Sequence, residues 1–366
     1  MSRFVFEMAT DEHEASLRRI FAQNDMEGEI QISFQREPNF FYAPSLPGPF
    51  CQVVAARDNE TGEIIGAGTR AVCKGYVNGE LRNIGYLADL RLDKRYRSGL
   101  LVARAYRYLN RLHQDGLTNL YFTLIAETNR TALETIAKGR AGIPPYRDLG
   151  RIHTPAVNLL KKKPSLKSDF EIVRGSCDIL PQIVDCINRN HKRRQFAPHY
   201  EPGEFAQRLR EFRISDFDVA MRKDRVVGVV AKWDQSSFRQ TVVTGYRGKT
   251  RLLRPVYNLA SALVGGPTYP PAGARLCFFF GSFIAIDEDD VAVFRGLLRQ
   301  LYNDHVGSEY DYFVIGLHER DPLRAVLSDF SLTPFSARLF AVHFADGAEL
   351  FAGLNGAVPY VELALL

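Results

Sequence analysis

Asn83-Ile84-Gly85-Tyr86-Leu87-Ala88-Asp89-Leu90-Arg91-Leu92 runs into Asp93-Lys94-Arg95-Tyr96-Arg97-Ser98-Gly99, and the rest of the chain can be placed around that junction. The first ten residues are rich in apolar and aromatic side chains, with Leu90 and Leu92 on one face at strand spacing. The charged segment after them is a turn. Leu101, Ala105, Tyr108, Leu109 and Leu112 then fall at helical intervals and predict a helix that stops near Asp115-Gly116. Leu120-Tyr121-Phe122-Thr123-Leu124-Ile125 is a near-continuous apolar run, the pattern of a strand buried on both faces. Two strands joined by one helix are most simply parallel, with a right-handed crossover.

This order has a chemical consequence. The turn presents a helix N-terminus, whose first amides lack intrahelical partners and carry the positive end of the helix dipole. Lys94, Arg95 and Arg97 add full charges, and Ser98-Gly99 keeps the backbone open to a ligand. The expected site is one for a phosphate or pyrophosphate. The plainer alternative is an ordinary strand-to-helix turn with solvated basic residues.

The 366 residues are too many for one typical domain and suit two. A net charge of +5 favours anionic ligands and is too small to argue for nucleic acid. The five cysteines, Cys51, Cys73, Cys177, Cys186 and Cys277, lack metal-ligand spacing, and their odd, dispersed distribution suits reduced thiols in a cytoplasmic protein. The eight histidines form no metal motif, and no nucleophile elbow or phosphate-binding Gly-rich loop is present. The N-terminus lacks a signal-peptide core, and no apolar run is long enough to cross a membrane.

Tyr86 to Leu109 resembles the central motif of the GNAT superfamily of acyl-CoA N-acyltransferases: an apolar strand end, Arg/Gln-x-x-Gly-x-Gly/Ala, then a helix. Leu90 and Leu92 match the strand positions and Arg95 the Arg/Gln; the glycine positions fall on Ser98 and Leu100, with Gly99 displaced by one. Asn129-Arg130-Thr131-Ala132 matches the family's next motif. The resemblance implies an acyl-CoA co-substrate, acetyl-CoA or another, held by Leu90, Arg91, Leu92, Arg95, Tyr96, Arg97, Ser98, Gly99, Leu100, Asn129 and Ala132. Backbone amides near Leu90-Arg91 would polarise the thioester carbonyl. Asp89 is the first candidate base, from its likeness to the strand of polyamine-type acetyltransferases, although the acid that precedes it there is Ala88 here. Glu127 is the second candidate. The family's usual acid, a tyrosine, falls on Ala137, and Tyr146 is the available substitute. No metal is implied.

Along the chain, Phe4-Val5-Phe6 reads as a strand and Leu17, Ile20 and Phe21 as a helix face. Arg36 to Pro49 is a proline- and aromatic-rich loop that either walls an acceptor pocket or packs on the core. Gln52–Ala56 and Ile64–Val72 form a hairpin, and His153–Leu160 a closing strand. Residues 161–168, Lys161-Lys162-Lys163-Pro164-Ser165-Leu166-Lys167-Ser168, are the expected linker. The second half repeats the order: strand Phe170–Val173, helix Ile179–Asn190, a helix marked by Phe205, Leu209 and Phe212, a hairpin over Asp218–Met221 and Val226–Trp233, an insertion, then strand Leu276–Ile286, helix Val291–Tyr302 and strand Tyr312–Leu317. The expected fold class is therefore α/β (α+β mixed sheet). Two tandem GNAT-like domains are expected, residues 1–160 and 169–345, with a tail at 346–366. Each would be a mixed, mostly antiparallel sheet with a central parallel βαβ crossover. In the second half Asp287-Glu288-Asp289-Asp290 stands where the first has its basic turn, so coenzyme belongs to the first half only.

The functional expectation is transfer of an acetyl or other acyl group to the amine of a small molecule or peptide. A non-catalytic binding or scaffold protein, and a transferase using a fatty acyl-CoA or an aminoacyl-tRNA, are the alternatives. Oligomeric state and acceptor are not specified by the sequence.

Overall fold

The computed structural model describes residues 2–26, 28–96, 99–137, 139, 142–263 and 268–366. In chain order the first half contains β1 (Phe4–Met8), α1 (Glu14–Gln23), β2 (Ile30–Gln35), β3 (Phe50–Asp58), β4 (Ile64–Val77), β5 (Glu80–Leu92), α2 (Gly99–His113), β6 (Leu120–Ala126), α3 (Arg130–Ala137), β7 (Tyr146–His153) and β8 (Ala156–Asn158). The second half contains β9 (Glu171–Arg174), α4 (Leu180–His191), α5 (Pro202–Gln207), β10 (Phe217–Arg222), β11 (Arg225–Trp233), β12 (Gln240–Tyr246), α6 (Gly248–Leu263), β13 (Phe278–Ile286), α7 (Val291–His305), β14 (Tyr312–Ile315), β15 (Leu317–His318), β16 (Leu332–Thr333), β17 (Ser336–His343) and α8 (Ala348–Ala352).

The mixed α/β class holds. One sheet runs β1-β3-β4-β5-β6-β17-β7-β15 and the other β16-β8-β14-β13-β11-β10-β9. In each, antiparallel neighbours surround a single parallel pair, β5 with β6 and β13 with β14. Each pair is joined through one helix, α2 or α7, so the βαβ unit occurs twice.

The two sheets exchange strands. β17 enters the first sheet between β6 and β7, and β8 enters the second between β14 and β16. His153–Leu160 is thus not one closing strand: the chain breaks at Thr154-Pro155, leaving β7 in one sheet and sending β8 to the other. The exposed, irregular 161–168 stretch lies between β8 and β9, yet a cut there leaves each sheet dependent on a strand from the other half. A third, two-stranded sheet also links the halves, with β2 antiparallel to β12.

Packing follows the same pattern. Helix α7 buries Val293, Phe294, Leu297, Leu298 and Leu301 on one face of the second sheet. Helix α4 buries Ile183, Val184 and Ile187 on the other. The Arg36–Pro49 loop packs into both halves: Phe40 joins the core under α1, while Ala43 and Leu46 join the α4 core. Leu209 and Phe212 are buried beyond the end of the short α5 rather than in a continuing helix. The C-terminal segment docks on its own chain, with Tyr360, Val361, Ala364 and Leu365 buried. No described helix is long and apolar enough to cross a membrane.

Candidate active site

β5 and β6 are paired only at Gly85–Tyr121 and Tyr86–Phe122, and beyond that point they part. Just past the junction, Asp89 has φ +57°, and the register with β4 shifts between Ala67 and Thr69. An extra residue on β5 therefore makes a bulge, which bends the strand and re-aims its side chains. Aspartate tolerates the left-handed conformation better than most residues. The result is a wedge between two central strands, with the start of α2 beside it.

The second half has the same bulge. Phe283 in β13 has φ +54°, with a register shift against β11 between Val229 and Ala231. There the wedge is plugged. Glu362 Oε2 accepts from the Phe283 amide at 2.6 Å, and the Tyr360 hydroxyl accepts from the Ile284 amide at 3.1 Å. Burial pushes the Glu362 carboxyl up to about 7, against hydrogen bonds from Tyr360, Phe283 and Ala364 that hold it down. In the first half, no described side chain accepts from the corresponding amides of Asp89 and Leu90. The acidic turn after β13 is also committed: Asp290 caps α7, and Asp287 pairs with Arg189 at 2.8 Å.

The side chain of Asp89 sits in a cluster that the sequence did not reveal. Arg36 Nη2 lies 3.3 Å from its Oδ1, and the Thr69 hydroxyl 3.3 Å from its Oδ2. Arg91 and Arg239 complete the cluster. Burial, together with the charge of Arg36, pulls the Arg91 guanidinium down to about 10 and that of Arg239 down to about 9; Asp89 opposes both shifts. Register explains the pairing of two distant arginines. Gln35 of β2 stands opposite Gln240 of β12, so Arg36, one step after β2, and Arg239, one step before β12, are brought together. Arg91 is steadied over the Phe21 ring at 4.3 Å and donates to the Asn24 carbonyl at 3.1 Å. Tyr86 lies close by, its hydroxyl pushed up mainly by burial and secondarily by Asp89.

The other expected site residues are distributed differently. Arg95 is 64% exposed and paired with Asp93 at 2.9 Å and Glu63 at 3.2 Å. Its charge is shared with two carboxylates, so the basic turn is less cationic than its composition suggests. Tyr96 packs edge-on against Phe4. Arg97 and Ser98 lie outside the described residues. Gly99 and Leu100 open α2, with Leu100 exposed to solvent. Leu90 is half-exposed on β5, and Leu92 packs beside Ile65 and Leu101. Asn129 Oδ1 accepts from the Ala132 amide at 3.2 Å, which ties the residues before α3 to its first turn.

Glu127 belongs to another group. It accepts from Ser336 and, at 2.8 Å, from Arg151 Nε; these hydrogen bonds hold its carboxyl below the usual range. None of its partners is shared with Asp89, so Glu127 stands apart from the cluster on the bulge. Tyr146 is bonded to Tyr106 of α2, and burial raises its hydroxyl well above the ordinary value. That bond fastens α2 to β7. Among the described residues no group of histidine, cysteine and carboxylate side chains could hold a metal.

No family model matches the sequence, and no curated protein does. Solved structures do. Saccharomyces cerevisiae N-myristoyltransferase with bound myristoyl-CoA superposes with a TM-score of 0.61 at 10% identity, over 94% of this chain and 79% of that one. A GCN5-related N-acetyltransferase from Sphaerobacter thermophilus gives 0.57 at 10% identity, over 100% of this chain and 99% of that one. The chain has the tandem GNAT fold. A second GCN5-related N-acetyltransferase, from Anabaena variabilis, gives a TM-score of 0.51 at 11% identity, over 93% of this chain and 72% of that one. The tandem GNAT fold accounts for the repeated bulge, the repeated parallel pair and the coverage of both halves by a single neighbour.

Proposed function

We propose that the protein is an N-acyltransferase with one site, in the wedge between β5 and β6, that takes its acyl group from an acyl-CoA. The observation that carries this reading is the contrast between two equivalent wedges. One is sealed by Glu362 and Tyr360, while the bulge amides of the other donate to no described side chain. An acyl-CoA donor also suits the fold's neighbours: the yeast N-myristoyltransferase holds myristoyl-CoA.

In the proposed reaction the acceptor amine attacks the thioester carbonyl. The nitrogen–carbon bond forms, the carbon–sulfur bond breaks, and coenzyme A leaves as a thiolate that takes up a proton. Amides at the bulge stabilise the oxyanion while it exists. Asp89 is the proton acceptor, because it stands on the bulge itself. The first turn of α2 receives the pyrophosphate through its backbone amides, with Arg95 contributing less than its motif position implies.

The donor is tested by thiol release with acetyl-CoA and a series of longer acyl-CoAs, using a mixed pool of amino acids as acceptors. Release that depends on both donor and acceptor is the expected result. Absence of release with every donor, together with absence of coenzyme binding, would leave a scaffold role. Binding without release would point to an aminoacyl-tRNA or another donor.

A further inference from the structure

The cluster around Asp89 holds more positive charge than it balances. Arg36, Arg91 and Arg239 surround one carboxylate side chain, and among the described side chains Asp89 alone offers Arg91 or Arg239 a carboxylate. Arg36 is only 6% exposed, and its Nε has no hydrogen-bond partner among the described residues; the Nε of Arg239 is likewise buried and unpartnered among them. Arg239 Nη1 reaches the Ala364 carbonyl at 3.3 Å, which satisfies one donor and none of the charge. A buried guanidinium with open donors is costly unless an anion arrives to meet it. The fork of an arginine suits a carboxylate, which accepts two parallel hydrogen bonds.

We propose that the acceptor amine carries a carboxylate, which seats among Arg36, Arg91 and Arg239 while its amino group faces Asp89. This rests on the transferase reading and narrows its substrate to an amino acid or a peptide with a nearby acid group. Phe21 and Phe34 stack under Arg91 and fix the direction from which the acid is met.

Thermal unfolding of the full chain with N-acetylglycine or N-acetylglycinamide, a product-like pair that differs chiefly in charge, tests this without turnover. The acid is expected to raise the melting temperature of the wild-type protein by a few degrees and the amide to leave it unchanged. Arg239→Met removes a half-buried charge whose Nε is buried and unpartnered among the described residues. That variant is expected to melt no lower than wild type without ligand, and to ignore the acid. Arg91→Met serves the same comparison if the first variant does not fold. No response of wild type to the acid, an equal response to the amide, or a variant that still responds would each overturn the proposal. Because no acyl-CoA enters the experiment, its failure leaves the transferase reading to be judged by thiol release alone.

Helix α6 is inside out. Leu252, Val256, Leu259 and Leu263 form one stripe at helical spacing and are 77%, 67%, 68% and 81% exposed. The polar side faces the body: Arg254 and Asn258 bond to Tyr269, Thr250 bonds to Glu29, and Ser261 is buried. Arg247, Lys249 and Arg251 flank the apolar stripe, and between Asp234 and Asp287 the chain has six cations and no acid. A basic helix with an uncovered apolar face matches the charge and polarity of an anionic bilayer surface.

We infer that α6 lies on an anionic lipid surface, with Leu252, Val256, Leu259 and Leu263 inserted. Co-sedimentation with phosphatidylcholine vesicles, with and without phosphatidylglycerol, tests it. Binding is expected to the anionic vesicles alone, to weaken in high salt, and to fall at least about tenfold in the doubly substituted Leu252→Asp, Leu259→Asp protein. Both side chains are exposed, and circular dichroism verifies that the variant is folded. No binding, or equal binding to neutral vesicles, overturns the inference. So does a self-association lost in the variant without vesicle binding, which would make this face a contact between copies.

Discussion

Replacing Asp89 by asparagine is expected to lower kcat for acyl transfer by about 10²–10⁴-fold, the range for loss of a positioned base. Asparagine keeps the shape and tolerates the φ of +57° at this position, so the bulge survives the change. It also removes the carboxylate that Arg36 meets at 3.3 Å, leaving buried Arg36 and half-buried Arg91 and Arg239 without that counter-charge. Breaking a buried pair in this way costs on the order of 3–5 kcal/mol. Urea denaturation must therefore accompany the kinetics. A rate loss in a folded variant that is rescued as pH rises, when more of the free amine is already deprotonated, identifies proton removal. An unchanged rate would move that role away from Asp89. Glu127→Gln, in contrast, is expected to leave kcat near the wild-type value, because Glu127 is held by Arg151 and Ser336 outside the cluster.

Gly85→Ala is expected to destabilise the protein by about 3 kcal/mol or more. A Cβ at this position would stand 2.0 Å from the Tyr121 ring, well inside contact distance. Tyr121 has nowhere to go. It is fully buried, and its hydroxyl is held at 3.0 Å by Arg70 Nε and at 2.9 Å by His113 Nδ1. Arg70 is itself buried and bonded to Gln52 and Asp115. Gly85–Tyr121 is one of only two residue pairs that join β5 to β6 before they part, so the change strikes the hinge of the wedge. Urea denaturation measures the loss. A variant as stable as wild type would mean that the two strands are not held at this junction as described.

The β5–α2–β6 unit was legible because all its signals are local. Apolar strand residues, a charged turn, helical spacing and Asp115-Gly116 sit within a few dozen residues, and Gly116 does adopt the left-handed φ of +71° that ends such helices. The duplication was legible for the same reason. Strand exchange was not. β8 has three residues, and nothing in Ala156-Val157-Asn158 says that its partners are Tyr312–Val314 in one direction and Leu332–Thr333 in the other. β2 does alternate, Ile30-Gln31-Ile32-Ser33-Phe34-Gln35, and was readable in principle; its partner β12, more than two hundred residues away, was not. The arginine cluster inherits that difficulty. Arg36 and Arg239 become neighbours only through the register of two distant strands. Arg95 is the converse case: its position was legible from a motif, while its ion pairs with Asp93 and Glu63 were not.

One measurement bears most directly on where the coenzyme sits. In crystals of the full chain soaked with coenzyme A, density for the pantetheine arm is expected between β5 and β6 beyond Tyr86, with the pyrophosphate at the first turn of α2. Density between β13 and β14, where Glu362 and Tyr360 would have to be displaced, or an empty first wedge at saturating ligand, would contradict the assignment of the acyl-CoA site to the first half.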